Sequence, residues 1–239
     1  MESPHPHRFR DRLDAGRQLG LELAAFFGAP EPPDQTQPTP GPPAAPGLLI
    51  LGLPRGGVPV AAQVAEVLAA PLDVVPVRKI GLPAQPELAA GALASVAGHV
   101  TMIRNEDILR LWKDHDSSAD LEFREAAAAQ ALELERRETL YRRGRAPLDV
   151  RGRTVVVADD GLATGATMGA ALTALRRQSP ARLVAAAPVS CGTAGDAAAA
   201  LADDVVIPWA HSSLSSVGQA YDSFDQVSDA EVQQLLRSS

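Results

Sequence analysis

Five short apolar runs that alternate with segments of helical spacing constrain the fold of this chain more than any other feature. The runs are Leu48–Leu53, Leu72–Val77, Thr154–Ala158, Leu183–Pro188 and Val205–Pro208. They are continuous in apolar residues instead of alternating, which is typical of strands buried on both faces. Repeated strand and helix units require crossover connections between parallel strands. The sequence therefore predicts an α/β fold, with helices flanking a doubly wound, mainly parallel five-stranded sheet.

The helical spacing and the turn-forming residues predict the rest of the organisation. We expect helices over about residues 8–27, 58–69, 117–141, 166–178, 194–201 and 229–236, with Glu133–Arg137 and Glu138–Arg142 as i,i+4 ion pairs. Residues 28–47 are dense in proline and predict an extended surface loop. We expect a single domain over 1–239, in which about 80–145 form a small hood or mobile insert with a long helix and a short hairpin around Ala97–His99.

One strand–turn–helix segment carries the strongest functional signal. The strand Val155–Ala158 ends in the adjacent carboxylates Asp159 and Asp160, and a turn with Gly and Thr then opens onto a helix. Free N–H groups at a helix start bind phosphate. The candidate phosphate socket consists of Ala163, Thr164, Gly165, Ala166 and Thr167. The carboxylates would repel that phosphate and suit the paired hydroxyls of a ribose, so the segment predicts a ribose 5-phosphate site.

Two further strand ends carry positive charge. The first strand is followed by Arg55, Gly56 and Gly57, and the second by Arg78 and Lys79. Glycine lets the backbone approach a ligand closely, and arginine offers a forked cation for a diphosphate. Ligands of open parallel sheets bind beyond the carboxyl ends of the strands. We therefore expect these residues to lie near the two carboxylates.

The three segments resemble those of a known family. Val155–Thr167 resembles the signature of the type I phosphoribosyltransferases for 5-phosphoribosyl-1-pyrophosphate (PRPP), although Ala158 replaces the usual aliphatic residue before the acids. Leu53–Gly57 is similar to the pyrophosphate loop of the family, which often holds a cis peptide bond; matching the glycines places that bond between Pro54 and Arg55. Arg78 and Lys79 are similar to a basic pair in some members. The whole chain looks like a bacterial branch in which these motifs recur.

The resemblance implies a Mg²⁺-dependent enzyme of nucleotide metabolism. PRPP would donate its phosphoribosyl group to a small nitrogenous acceptor and release pyrophosphate. Asp159 and Asp160 would be catalytic, and they would meet Mg²⁺ through water or the ribose hydroxyls. Ala163 stands where 6-oxopurine enzymes carry an aspartate, so a hypoxanthine- or guanine-type activity is not expected. Glu87 is one candidate general base.

The acceptor itself is not named by any residue. A hood built from the N-terminal segment, residues 80–115 or the C-terminal part would hold it, with Trp209, Tyr221 and Phe224 as the available aromatic side chains. A non-catalytic protein that binds PRPP or nucleotides for regulation is the alternative function, and hydrolysis of PRPP is a third. The basic loops favour the enzyme, because a regulator that binds a monophosphate needs no pyrophosphate site.

Composition limits the partners. The net charge of −7 disfavours a nucleic-acid partner, and the basic stretch from Arg136 to Arg153 is explained by a solvated helix end and turn. Cys191 is the one cysteine, which excludes an intrachain disulfide. No apolar stretch has the length of a membrane span, and the first residues are polar, so we expect a cytoplasmic protein. We also expect a homodimer.

Overall fold

The computed structural model describes residues 8–28, 47–82, 85–96, 98–113, 118–146, 148–211 and 214–237. Most of the proline-rich stretch 28–47 and the side chain of Glu87 lie outside the described residues. The extended surface loop and the role of Glu87 as a general base therefore stay predictions. The helices are α1 Arg12–Phe26, α2 Gly57–Val67, α3 Glu106–Lys113, α4 Ala119–Tyr141, α5 Ala166–Arg176, α6 Ala194–Ala199 and α7 Asp229–Arg237, with a short 3₁₀ helix over Val217–Ala220. The strands are β1 Leu48–Gly52, β2 Leu72–Val74, β3 Val77–Leu82, β4 Gln85–Val96, β5 His99–Arg104, β6 Thr154–Ala158, β7 Arg182–Ala186, β8 Val189–Cys191, β9 Asp204–Val206 and β10 Trp209–His211.

The central sheet has five parallel strands in the order β2-β1-β6-β7-β9. Alternate residues of each strand point to opposite faces. One face packs against α1, α2 and α7, and the other against α5, α6 and β4. The predicted doubly wound α/β architecture is confirmed. The strand order reverses between β1 and β6, so the loops that follow these two strands lie at the topological switch point.

The segment between β2 and β6 contains a second sheet that the sequence did not predict. Strands β3, β4 and β5 form an antiparallel sheet, where we expected only a short hairpin. One face contributes Ala92 and Ala94 to the core around α5, and the other contributes Ile80 and Leu93 to a separate small core under α3 and α4. The insert is thus packed on both faces.

The boundary between the two sheets corrects the placement of the basic pair. Val75 still donates a backbone hydrogen bond to Gly52 in β1, but Pro76 has no N–H to donate. The chain leaves the parallel sheet there, and Arg78 and Lys79 lie inside β3 of the antiparallel sheet. The prediction that they follow a longer second strand of the central sheet is wrong.

Candidate functional site

The loops after β1 and β6 touch each other through two glycines. A Cβ atom built on Gly56 would lie 2.0 Å from Asp160 Oδ2. A Cβ atom on Gly57 would lie 2.7 Å from the Ala158 carbonyl oxygen and 2.8 Å from Asp159 Cα. Real Cβ atoms do not approach other atoms so closely, so these positions accept only glycine without a shift of the backbone or of the carboxylate. The predicted ribose loop and the predicted pyrophosphate loop are therefore one contiguous surface.

The backbone of the first loop has the feature that the family resemblance implied. The peptide bond between Pro54 and Arg55 is cis. The loop is attached to the neighbouring strand because the Leu53 N–H donates to the Ala158 carbonyl oxygen at 3.0 Å. Helix α2 follows directly, with the Gly57 N–H donating to the Leu53 carbonyl at 3.0 Å.

The two carboxylates differ in their surroundings. Asp159 Oδ1 accepts the backbone N–H of Asp160 at 2.9 Å, and Asp160 Oδ2 accepts the Nε–H of Arg12 at 2.7 Å. Burial raises the pKa of both carboxyl groups, and the charge of Asp160 raises the pKa of Asp159 further. The hydrogen bond and the charge of Arg12 lower the pKa of Asp160, against the effect of burial, and so favour the charged form of Asp160. The guanidinium beside the pair is therefore bound to Asp160 and not to Asp159.

The turn after the acid pair leads into α5 through a left-handed residue. Gly165 has a φ of +75°, a conformation that glycine adopts readily. A Cβ atom added to it would lie 3.0 Å from the Ala194 carbonyl oxygen. The Ala166 N–H donates to Thr164 Oγ1 at 3.4 Å. Ala163 and Thr164 are exposed, while Gly165, Ala166 and Thr167 are half-buried. The turn and the first residues of α5 are thus at least partly exposed, at the place where the sequence predicts the phosphate socket.

One of the predicted cations, Arg78, is held by a side chain of α4. Arg78 Nε donates to Gln130 Oε1 at 2.8 Å, and further along the same helix Arg137 Nε donates to Glu133 Oε1 at 2.7 Å. Burial, followed by the charges of Arg137 and Arg55, lowers the pKa of Arg78. Three guanidinium groups therefore share one region. Lys79, the next residue of β3, is half-buried, and its side chain points to the opposite face of the strand from Arg78. The predicted Glu133–Arg137 pair is confirmed.

The first residue of α7 joins the cations to the C-terminal part of the chain. Asp229 Oδ1 lies 4.0 Å from Arg55 Nη1 and accepts the hydroxyl of Tyr141 at 2.5 Å. Its other oxygen accepts Arg136 Nη2 at 3.1 Å. Arg136 also bonds Glu133, and the hydrogen bonds from Arg136 and Arg137 lower the pKa of Glu133 to about 2. Arg55 thus already has an anionic neighbour inside the protein.

The three candidate aromatic residues lie in one cluster beside the acid pair. Phe9 contacts Trp209 and Tyr221 with ring centroids 5.3 and 5.5 Å apart, and Tyr221 lies 4.8 Å from Phe224. The Tyr221 hydroxyl donates to the backbone carbonyl of Asp160. Tyr221 is buried, Trp209 is half-buried and Phe224 is exposed. The structure therefore brings these aromatic side chains from the two ends of the chain to the rim of the ribose loop.

Two arginines of the basic stretch, Arg142 and Arg145, have a different role from the one expected, whereas Arg143 and Arg151 are exposed as expected. Arg142 Nη1 donates to Asp73 Oδ1 at 3.0 Å, and Arg145 Nη2 donates to the Leu72 carbonyl at 2.6 Å. Glu138 accepts the hydroxyl of Ser95, so the predicted Glu138–Arg142 ion pair is wrong. Glu138 and Arg142 thus each bind a residue of another element, Ser95 and Asp73, instead of each other. Arg142 and Arg145 attach the end of α4 to β2 instead of forming a solvated patch.

Two functional neighbours were missed in the sequence. Arg12 binds Asp160, which lies 148 residues away in the sequence. Asp229, which is also distant in the sequence, lies 4.0 Å from Arg55. Neither belongs to a motif, and no local pattern distinguishes Arg12 from the arginines around it. For Arg12, the only signal in the sequence is that the start of the first helix is rich in arginine. That signal does not identify the residue that an arginine would bind.

The donor set of the acid pair determines how it could hold a metal ion. In the described part of the chain, no group of three or more His, Cys, Asp or Glu side chains could hold a metal ion. Asp160 commits one carboxylate oxygen to Arg12, and Asp159 one to a backbone N–H. Mg²⁺ is commonly held by one or two carboxylates together with water and substrate phosphates. The residues present fit that shared mode of binding.

Among the described helices, none combines the length and the apolar character needed to cross a bilayer.

The chain matches one protein-family model and is similar to two proteins of known sequence. The model of the phosphoribosyl transferase domain matches residues 45–215, which include both switch-point loops, the basic pair and α5. Two Mycobacterium tuberculosis proteins, from strains CDC 1551 / Oshkosh and ATCC 25618 / H37Rv, are each 40% identical over 228 residues, or 95% of this chain. Their names give them as candidate phosphoribosyl transferases, and the chain spans 46% of the length of each.

A solved structure agrees over nearly the whole chain. The protein TT1426 of Thermus thermophilus superposes with a TM-score of 0.73 at 37% identity, covering 97% of this chain and 98% of that one. Its likeness therefore includes the antiparallel insert and α4 as well as the central sheet. With the domain model matched across both loops of the site, the chain belongs to the phosphoribosyl transferase domain family.

Proposed function

We propose that this protein binds PRPP with Mg²⁺ and transfers its 5-phosphoribosyl group to a nitrogenous acceptor, with release of pyrophosphate. One observation carries the proposal: Gly56 and Gly57 place the loop that bears Arg55 directly against Asp160 and Asp159 at the switch point of the sheet. A ligand seated on that surface would meet carboxylates and cations at once. PRPP has a diol for the first and a diphosphate for the second.

Each part of the substrate has a complementary group. Asp159 and Asp160 would accept hydrogen bonds from the ribose hydroxyls, and the first turn of α5 with Thr164 and Thr167 would hold the 5-phosphate. Arg55, Arg78 and Lys79 would bind the pyrophosphate. The adjacency of the two loops gives PRPP a continuous path from one end of this surface to the other.

Mg²⁺ would be held by the acid pair through water or the ribose hydroxyls and by oxygens of the substrate, and it would supply charge neutralisation of the leaving pyrophosphate. The protein's own contribution is positional and electrostatic. The carboxylates lie where the ribose ring becomes positive as the bond from C1 to pyrophosphate breaks. The cations lie where negative charge accumulates on the departing group.

The acceptor is expected next to the aromatic cluster of Phe9, Trp209, Tyr221 and Phe224. Tyr221 connects this cluster to the backbone of Asp160, so a flat nitrogenous acceptor held there would lie near the ribose. Ala163 is exposed at the end of the same loop and offers no carboxylate to a 6-oxopurine. We keep a homodimer and a cytoplasmic location as predictions from the sequence.

The direct test measures pyrophosphate release from PRPP and Mg²⁺ across a panel of nucleobases and amines. We expect turnover with at least one acceptor, and we expect Asp160→Asn to lower it on the order of a hundredfold or more because the ribose loses a charged partner. Asp222→Asn, a change of the same charge on an exposed residue, is the control.

Two other outcomes have distinct meanings. Binding of PRPP without turnover for any acceptor would favour the alternative of a regulatory PRPP- or nucleotide-binding protein. Release of pyrophosphate with water alone would favour hydrolysis. If PRPP does not bind at all, by isothermal titration calorimetry with Mg²⁺ present, both the enzyme and a regulator that binds PRPP are excluded.

A further inference from the structure

We propose that Arg12, at the start of α1, is a positioning residue that holds the Asp160 carboxylate in place for the ribose. The inference rests on the proposed function, since it assigns a partner to the ribose-binding acid. Arg12 lies outside every motif of the site. Its Nε–H donates to Asp160 Oδ2 at 2.7 Å, and the two side chains are 12% and 15% exposed, so water does not screen the contact fully.

The guanidinium of Arg12 is fixed on its other sides as well. Its Nη1 donates to the Asp225 carbonyl oxygen at 2.6 Å, and its Cζ lies 3.8 Å from the centroid of the Phe224 ring. A cation over an aromatic face is attracted by the negative charge density of the ring. The head group therefore has three partners from two distant segments, which is unusual for an arginine that serves only solubility.

Helix α1 itself is held close to the site. A Cβ atom on Gly16 would lie 2.6 Å from the Val60 carbonyl oxygen, and one on Gly20 would lie 2.9 Å from Val67 Cβ. These two glycines therefore allow α1 to approach α2 closely. Because α2 begins at Gly57, the position of Arg12 is tied to the same loop that touches the acid pair. The first turn of α1 cannot drift without moving this packing.

The contact leaves the rest of the carboxylate for a ligand. Arg12 takes Oδ2 of Asp160, and in the described part of the chain no other side chain binds this carboxylate. Gly56 lies against the same oxygen that Arg12 binds, so the carboxylate is confined between them. Oδ1 is thus the oxygen available to a ribose hydroxyl, and Arg12 determines which way it points. Without Arg12 the carboxylate can rotate and loses its charged partner.

The experiment compares binding of three ligands by isothermal titration calorimetry: ribose 5-phosphate, 2-deoxyribose 5-phosphate and inorganic pyrophosphate. We expect Arg12→Gln to weaken ribose 5-phosphate about ten- to hundredfold, the range of a hydrogen bond to a charged group. The preference for ribose over deoxyribose should fall with it, while pyrophosphate affinity stays within about twofold. Arg12→Lys, which keeps the charge, should recover part of the loss.

Two further variants complete the test. Arg10→Gln removes a neighbouring arginine that pairs with Asp14 and is 80% exposed, so it should leave all three affinities unchanged. In an Asp160→Asn background, Arg12→Gln should add little, because its effect passes through that carboxylate.

The results separate this inference from the function on which it rests. Equal weakening of all three ligands, an unchanged preference for ribose, or tighter binding of ribose 5-phosphate in Arg12→Gln would each overturn the positioning role. If the unmodified protein binds neither ribose 5-phosphate nor PRPP, the proposed function fails as well. If it binds both and Arg12→Gln changes nothing, only the role of Arg12 is lost.

Discussion

The two halves of the candidate site are built in different ways. The acidic half, after β6, is held by backbone hydrogen bonds, by glycines packed against it with no space for an added methyl group, and at Asp160 by one ion pair with Arg12. The basic half is held by long side chains: Arg78 by Gln130, Arg137 by Glu133, and Arg55 by Asp229 at 4.0 Å. We therefore expect the first to be largely preformed, whereas the second consists of side chains with several rotatable bonds.

This difference corresponds to the parts of the proposed substrate. The ribose carries C1, the atom at which the bond breaks, and must be held in one position, which a preformed surface does without the cost of ordering the protein. A pyrophosphate must be bound and then released as a product, which favours cations that have alternative partners. We therefore expect substitutions in the acidic half to affect both fold and binding, and substitutions in the basic half to affect binding alone and by less.

The largest effect is expected for Gly57→Ala. The new methyl group would meet the backbone of Ala158 and Asp159 at 2.7 and 2.8 Å, and backbone atoms cannot rotate away. We expect a loss of at least about 3 kcal/mol in the free energy of unfolding, measured by urea denaturation, and loss of ribose 5-phosphate binding. Gly169→Ala in α5, where the nearest atom is a flexible leucine methyl at 3.3 Å, is the control. A Gly57→Ala protein of normal stability would show that the acidic half is not rigid.

An intermediate effect is expected at the attachment of the insert to the central sheet. Arg142 and Asp73 form an ion pair in which both side chains are 12% exposed. Arg142→Met removes one charge and leaves Asp73 with Arg145 at 3.7 Å. We expect about 2 to 3 kcal/mol of destabilisation, since a buried charge loses its main partner. Arg143→Met on the exposed surface beside it should cost little. Equal stability of the two variants would mean that the insert is attached by apolar packing alone.

The smallest effect is expected for Asp229→Asn in the basic half. Asp229 competes with a bound pyrophosphate for Arg55, so its neutralisation should strengthen pyrophosphate binding by a factor of about two to five, which corresponds to a partly exposed ion pair. Calorimetric titration with pyrophosphate and Mg²⁺ measures this. Asp222→Asn removes the same charge from an exposed pair with Arg8 and controls for long-range electrostatics. Weaker binding in Asp229→Asn would show that Asp229 orients Arg55 instead of competing for it.

The parallel sheet could be predicted because its signal is local. Its three central strands, β1, β6 and β7, contain short apolar runs that are buried on both faces. The edge strands β2 and β9 are shorter, and each contains an aspartate. The antiparallel insert gives no such signal. Strand β4 has the sequence QPELAAGALASV, which is rich in alanine and glycine and contains no β-branched residue before its last position. Its pairing with β3 and β5 is decided by tertiary packing on α5 and α4.

The same division applies to the site. The acid pair, the phosphate turn and the cis bond between Pro54 and Arg55 follow from contiguous motifs. The partners of those residues do not, because Arg12 and Asp229 reach the site from distant segments. Arg142 illustrates the reason: its helical neighbour Glu138 is a suitable partner by spacing, yet Asp73 in another element binds it. Sequence spacing specifies what is near along a helix and not what the fold brings from elsewhere.

The bridge between Phe9 and Tyr221 has a consequence for the order of events during synthesis. The acid pair is translated well before Tyr221, Phe224 and Asp225, which complete the surroundings of Arg12 and Asp160. A nascent chain can build the sheet from its N-terminal side while the last segments are still in the ribosome. Such a chain holds two partly buried carboxylates whose neighbours have not yet arrived. Ligand binding at the acid pair should therefore begin only after residues 221–225 have been translated and have folded onto the site.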